Sequence, residues 1–296
     1  TGSIQETPIT TKQPRPLKRA HPPTWFVRSY SSLTRHQHDP EQPTRATDEV
    51  DLALEPNTEA AAWHRIPGGT ATGNFIHAAL EQSARQPTGD VITPYIESHW
   101  PSHLDRQYTA DIHHWIGAIR EVVLPGGLTL CELTRQQLRP EPQFQLPLAT
   151  GLTLDTLLTS FRAFSWWDDP IEGSGLQLKG QLTGFIDLVY EAHGRYYLLD
   201  YKTNQLGDRG AHYTDTSIAQ AMRASHYQAQ AAIYALALHR WLEQRLPNYD
   251  PNHHLGEVVY LFARGIDGPV SGLWSKPIEA DSIQSIAARC LHASPN

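Results

Sequence analysis

LQLKGQLTGFIDLVYEAHGRYYLLDYKT, residues 176–203, carries the densest pattern in the chain. Two β-rich runs flank EAHG, and Gly194 supplies the left-handed conformation that a tight turn needs, so the stretch predicts a β-hairpin. Its second run ends YYLLDYKT (196–203): four apolar or aromatic residues lead straight into Asp200. A carboxylate at the rim of a core is costly unless something partners it. Counted from a turn centred on His193-Gly194, Asp187 and Asp200 face each other across the hairpin. Lys202, two residues beyond Asp200, points to the same side of the strand. Two carboxylates and an ammonium therefore converge.

That trio suits phosphodiester hydrolysis. Mg²⁺ takes oxygen ligands and keeps several waters. Two aspartates can anchor it while a lysine orients or helps to deprotonate water, or neutralises charge on the phosphate. Carboxylates held close with no cation would repel. The same spacing also fits an ordinary rim salt bridge, because D-x-K is a short pattern.

Outlying residues bear on that choice. Glu141, in RPEPQFQLPL, precedes a strand and is either a third carboxylate or an exposed one. His77 is a metal or phosphate ligand, or a surface or satisfied core histidine; Glu81, one turn on, could orient it or simply be an exposed helix carboxylate. Tyr227, Gln230 and Tyr234 share one helix face. Gln230, polar in an apolar stripe, could bond a catalytic carboxylate, the lysine, DNA or merely backbone.

Working outward, GGTATGNFIHAALEQ (68–82) predicts a helix capped by Thr70 or Thr72. A second helix is expected around 106–124, stopped by Pro125-Gly126-Gly127. LTLCELTRQQL (128–138) is a short strand or a helix end. PQFQLPLA (142–149) reads as a strand and TLDTLLTSFRAF (153–164) as a helix. After a polar loop (204–217), one long amphipathic helix is expected over 218–243, then a strand at 255–266 and a helix at 278–291. The sum is a mixed α/β domain. Residues 1–23 read as a flexible tail or linker, 24–35 as a short packed segment and 36–62 as a mobile acidic loop.

Composition narrows the function. A net charge of −7 argues against a module that binds DNA by charge alone. Cys131 and Cys290 are the only cysteines, too few for a disulfide framework, so a reducing, cytoplasmic setting is expected. No apolar run approaches the roughly 20 residues that span a membrane, and the N-terminus lacks the apolar core of a signal peptide. The absence of an initiator Met suggests a cut-out of a longer protein.

GTATGNFIHAALE, GFIDLVYEAHGRYYLLDYKTNQLG, YQAQAAIYALALHRWL and GEVVYLFARGID, in that order, resemble the RecB-type nuclease domains of exodeoxyribonuclease V, within the PD-(D/E)xK superfamily. The resemblance covers about residues 24 to 290. It implies an α/β restriction-endonuclease-like core, a central mixed sheet flanked by helices, with extra N-terminal helices, and a nuclease domain over 24–296. Asp187 and Asp200 match the metal-binding acids, Lys202 the catalytic lysine, His77 the histidine completing the metal site and Glu141 the upstream acid. Gln230 and Tyr234 match the Q-x-x-x-Y signature, and the backbone carbonyl of Tyr201 is implied as a further ligand.

The implied activity is Mg²⁺-dependent DNA hydrolysis in double-strand-break repair by homologous recombination, with Mn²⁺ or Ca²⁺ able to occupy the site. Single strands would be delivered by a helicase, with RecC- and RecD-like subunits alongside. ATP would belong to the helicase portion, since these residues hold no GxxxxGK[ST] loop. Two other readings stay open: a noncatalytic DNA-end or partner-docking module with a nuclease-like fold, and a stand-alone nuclease of the phage-exonuclease type.

Overall fold

His193 (φ 53°) and Gly194 (φ 80°) both adopt left-handed backbone and close the pair Ala192–Arg195. This is the geometry of a two-residue primed turn, whose twist matches that of the strands it joins. In the computed structural model, which describes residues 27–29, 60–172 and 174–292, this hairpin lies at the heart of the molecule.

In chain order the elements are β1 (Val27–Ser29), α1 (Thr70–Arg85), α2 (Ile92–His99), α3 (Thr109–Arg120), β2 (Leu138–Pro140), β3 (Gln143–Pro147) and α4 (Leu154–Phe161). There follow β4 (Gln181–Phe185), β5 (Leu188–Ala192), β6 (Arg195–Lys202), α5 (Asp215–Ala224), α6 (Tyr227–Arg245), the single turn α7 (Pro251–His254), β7 (Leu255–Phe262), β8 (Leu273–Pro277) and α8 (Ala280–Cys290).

The main sheet has strand order β2-β5-β6-β7-β8, and a smaller one has order β1-β4-β3. β6 and β7 run parallel, joined through α5 and α6, while the other pairs of the main sheet are antiparallel. The sheet is mixed, as expected. Its two central strands read as near-continuous apolar runs because both faces are covered. Tyr197, Leu199 and Tyr201 of β6 pack into one core with Ile76 and Leu80 of α1 and Trp115 and Ile116 of α3. Leu198 packs into the other, with Leu157 of α4, Ile233 of α6 and Ile286 of α8.

Several expectations are corrected. The first β-run breaks at Ile186-Asp187 into β4, in the small sheet, and β5, in the main one. The helix expected over 218–243 is two helices, parted where His226 takes a left-handed φ of 51°. α1 begins after Gly69 with no side-chain cap; the Thr72 hydroxyl instead meets Gly68 O at 3.4 Å and His103 Nε2 at 3.0 Å. α2 and β8 had no counterpart in the sequence reading, and residues 128–137 form turns ahead of the short β2. The tail at 1–23 and nearly all of the acidic segment at 36–62 lie outside the described residues; Ala62 already opens a 3-10 turn.

Candidate active site

The last ladder pair of the hairpin is Leu188–Leu199, so the next step outward sets Asp187 opposite Asp200. On the other side, β2 pairs Pro140 with Leu188, and the Glu141 N–H donates to Asp187 O at 2.9 Å. Glu141, Asp187 and Asp200 thus stand in a row across the end of three strands. In the parallel ladder, Tyr260 of β7 lies beside Asp200.

Strand alternation sends Asp200 and Lys202 to the α6 side of the sheet. There Lys202 Nζ lies 2.6 Å from Asp200 Oδ2 and donates to Gln230 Oε1 at 3.2 Å. Asp200 and Lys202 are only 4% and 5% exposed. The ammonium also lies 4.1 Å from the centre of the Tyr227 ring and 5.2 Å from that of Tyr260. Burial works against its charge, but Asp200, Tyr227 and Asp187 outweigh that and hold its pKa above the ordinary lysine value.

Gln230 is fixed from both ends. Its Oε1 also accepts from the Tyr260 hydroxyl at 2.9 Å, and its Nε2 donates to Tyr234 Oη at 3.0 Å. Among the partners open to Gln230 in the sequence, the structure selects the lysine. Tyr227 and Tyr234 frame it on the same helix, and the Tyr227 hydroxyl donates to Asn204 Oδ1 at 3.3 Å.

The other layer contributes His77 from α1, whose Nδ1 lies 3.2 Å from Asp187 Oδ2. The same oxygen accepts from the backbone N–H of Tyr201 at 3.0 Å. Burial alone would raise the Asp187 pKa, but His77, by charge and hydrogen bond, and Lys202 hold it below the usual carboxylate range. Asp200 behaves oppositely: burial pushes it up to about 6, against the pull of Lys202, and Asp187 adds to the rise. Glu81 does not orient His77; its carboxylate pairs with Arg85 Nη2 at 2.5 Å. Glu141 Oε2 stands 4.0 Å from the same guanidinium nitrogen.

Among the described residues, no three His, Cys, Asp or Glu side chains converge closely enough to hold a metal ion as they stand. The donor set nonetheless fits one. Adjacent ligands of an octahedral Mg²⁺, at bonds of about 2.1 Å, lie about 3 Å apart. His77 Nδ1 and Asp187 Oδ2, at 3.2 Å, already have that spacing. Asp200 Oδ2 is buried and meets no aligned hydrogen-bond donor among the described residues; its close neighbour is the Lys202 charge.

The sequence reading missed Tyr260, whose only signal was its parity on the β7 run, and Arg264. Arg264 is fully buried and donates to Thr203 O, Trp63 O and Ile66 O at 3.2, 2.8 and 3.0 Å. It ties the end of β6 to the segment that leads into α1.

Comparison with protein families matches residues 52–281 to the PD-(D/E)XK nuclease superfamily. The chain belongs to that superfamily. The seven side chains matched to the family above, from His77 to Tyr234, all fall inside the matched stretch. A nuclease of this superfamily works, in general, with a metal. Among curated proteins, the chain is similar to the RecBCD enzyme subunit RecB of Escherichia coli (strain K12), at 35% identity over 88% of this chain and 22% of the relative. The same-named subunit of Mycobacterium tuberculosis (strain ATCC 25618 / H37Rv) is 32% identical over 88% of this chain and 27% of its own length. That of Haemophilus influenzae is 35% identical over 71% and 17%. The chain therefore spans about a quarter or less of the length of these relatives. No helix among the described residues is long and apolar enough to cross a membrane.

Proposed function

We propose that this chain hydrolyses DNA phosphodiester bonds with Mg²⁺, as the nuclease part of an ATP-dependent helicase–nuclease acting in double-strand-break repair by homologous recombination. One observation carries the reading: a buried Asp200–Lys202 pair at 2.6 Å beside a His77–Asp187 pair at 3.2 Å, at the end of one hairpin. In this reading Asp187, Asp200 and His77 hold the metal, with the backbone carbonyl of Tyr201 as a further ligand and Glu141 as the flanking acid. Bound there, a divalent cation would neutralise phosphate charge and acidify a bound water. Lys202 orients the attacking water or takes up charge on the phosphate oxygens. Gln230 fixes the ammonium, and Tyr234 and Tyr260 fix Gln230.

The printed name of the relatives, a subunit of the RecBCD enzyme, supports RecC- and RecD-like partners, and in this reading a helicase portion delivers single strands to the site. We place the activity in the cytoplasm and take residues 24–296 as the nuclease domain. Delivery by partners accounts for cutting DNA with a net charge of −7.

The test is cleavage of a labelled single-stranded oligonucleotide in Mg²⁺. Wild type cuts, and Asp200→Ala or Lys202→Ala abolishes cutting while the fold persists; undiminished cutting by either variant removes the role assignment. The buried Asp200–Lys202 contact would also suit a purely structural ion pair, which leaves a second reading, a noncatalytic docking module with this fold. That reading predicts no cleavage by wild type at any metal concentration.

A further inference from the structure

α6 starts abruptly. His226 turns the chain with a left-handed φ of 51°, and the backbone N–H groups of Ala229 and Gln230 donate to its carbonyl oxygen at 3.1 and 3.4 Å. The residue that opens the helix therefore sets where Gln230 stands. Tyr227 follows His226 directly; it is buried, with its ring centre 4.1 Å from Lys202 Nζ. A tilt of this first turn would shift both groups that α6 brings to the ammonium.

A segment distant in sequence holds the turn. Asp169, 7% exposed, accepts at Oδ1 from the Ile171 N–H at 2.9 Å, and His226 Nδ1 lies 2.7 Å from the same oxygen. A carboxylate oxygen accepts, so the imidazole N–H donates. Beside it, the Asp168 N–H donates to Gln228 Oε1 at 2.9 Å, and the Asp168 carboxylate meets Gln228 Nε2 and Arg223. Residues 226 and 228 are thus tied to one strap, while Tyr227 between them faces the lysine. The strap is anchored in turn: Trp166 Nε1 donates to Pro277 O, at the end of β8, at 2.9 Å. A left-handed φ is uncommon outside glycine and persists where the surroundings fix it.

We propose that Asp169 is a positioning residue for cleavage: through His226 it fixes the first turn of α6, which holds Tyr227 and Gln230 against Lys202. The proposal rests on the nuclease reading above. Asp169 acts two contacts away from the lysine, so its loss misplaces the ammonium without removing any group of the site.

The test pairs a structural readout with a kinetic one, on the full chain. In Asp169→Ala, amide hydrogen exchange accelerates at residues 227–230 and stays as in wild type at residues 236–244 of the same helix. Cleavage of a labelled oligonucleotide in saturating Mg²⁺ loses roughly ten-fold in kcat with KM little changed, as expected of a misplaced group. His226→Asn tolerates the left-handed turn but is too short to keep the contact, and it behaves likewise. Adding it to Asp169→Ala costs nothing further, because the two act as a unit. Asp169→Asn keeps an accepting oxygen and retains the wild-type kcat. Unchanged exchange at 227–230 or unchanged kcat in Asp169→Ala overturns the proposal, as do additive losses in the double variant. If Asp169→Ala does not fold, the same two readouts on His226→Asn decide. Cutting by the wild-type chain decides the nuclease reading by itself.

Discussion

Asp187 faces Asp200 one step beyond the last paired residues of the β5–β6 hairpin, and the two carboxyls are driven apart in proton affinity. His77 and the Tyr201 N–H draw Asp187 toward its ionised form, while burial pushes Asp200 up to about 6. Two like groups thus acquire different characters from their surroundings.

The Asp200–Lys202 pair is buried, so removing one member strands the other. Lys202→Met is expected to cost roughly 3–5 kcal/mol, whereas Asp200→Asn combined with Lys202→Met recovers much of that loss. Urea unfolding of both single variants, Lys202→Met and Asp200→Asn, and of the double variant checks it. Additive losses would mean that the pair contributes nothing as a unit.

Gln230 touches Lys202, and no reacting atom need touch Gln230. Gln230→Leu should lower cleavage about 10–100-fold, the range seen when an orienting partner is lost. The effect should fall on kcat more than on KM, with Tyr234→Phe milder. A pure KM effect would make Gln230 a DNA contact instead.

Arg264 holds three backbone carbonyls and lies 5.1 Å from the centre of the Trp115 ring. Arg264→Met should destabilise by roughly 3 kcal/mol or more, since buried carbonyls lose their donors. Hydrogen exchange should accelerate at residues 61–66 and 203–204 before it does elsewhere. Uniform acceleration would show that the guanidinium does not clamp that segment.

His64 and His239 are both held below the usual histidine pKa by burial, in His64 against the pull of Asp267. Near and below pH 6.5 the unfolded chain binds protons that these folded sites refuse, so stability rises with pH and levels off above about 6.5. His239→Gln should flatten part of that slope in urea titrations between about pH 5 and pH 8. An unchanged slope would assign it to other groups.

The relative placement of the candidate residues was more legible than the break points of the elements around them. Asp187, Asp200 and Lys202 follow from turn position and strand parity, both local rules, and their placement agrees with both. The break at His226 was not legible, because a contact 57 residues away accompanies it: His226 Nδ1 meets Asp169 Oδ1 at 2.7 Å. Periodicity continues across such a kink in the sequence. Arg264 was hidden for a similar reason. In ARGID it reads as a polar strand end, and only the docking of Trp63 and Ile66, some 200 residues earlier, gives it carbonyls to satisfy. Glu141 was visible as an acid, but its left-handed φ of 47° and its N–H bond to Asp187 belong to pairing between distant strands.

The central claim is that Asp187, Asp200 and His77 together hold a divalent ion. Anomalous scattering from crystals of the chain soaked in Mn²⁺ tests it most directly. The account predicts one peak within bonding distance of all three side chains, absent in Asp187→Asn crystals. A Mn²⁺-soaked crystal with no peak there, and with Lys202 still closed on Asp200, would contradict it.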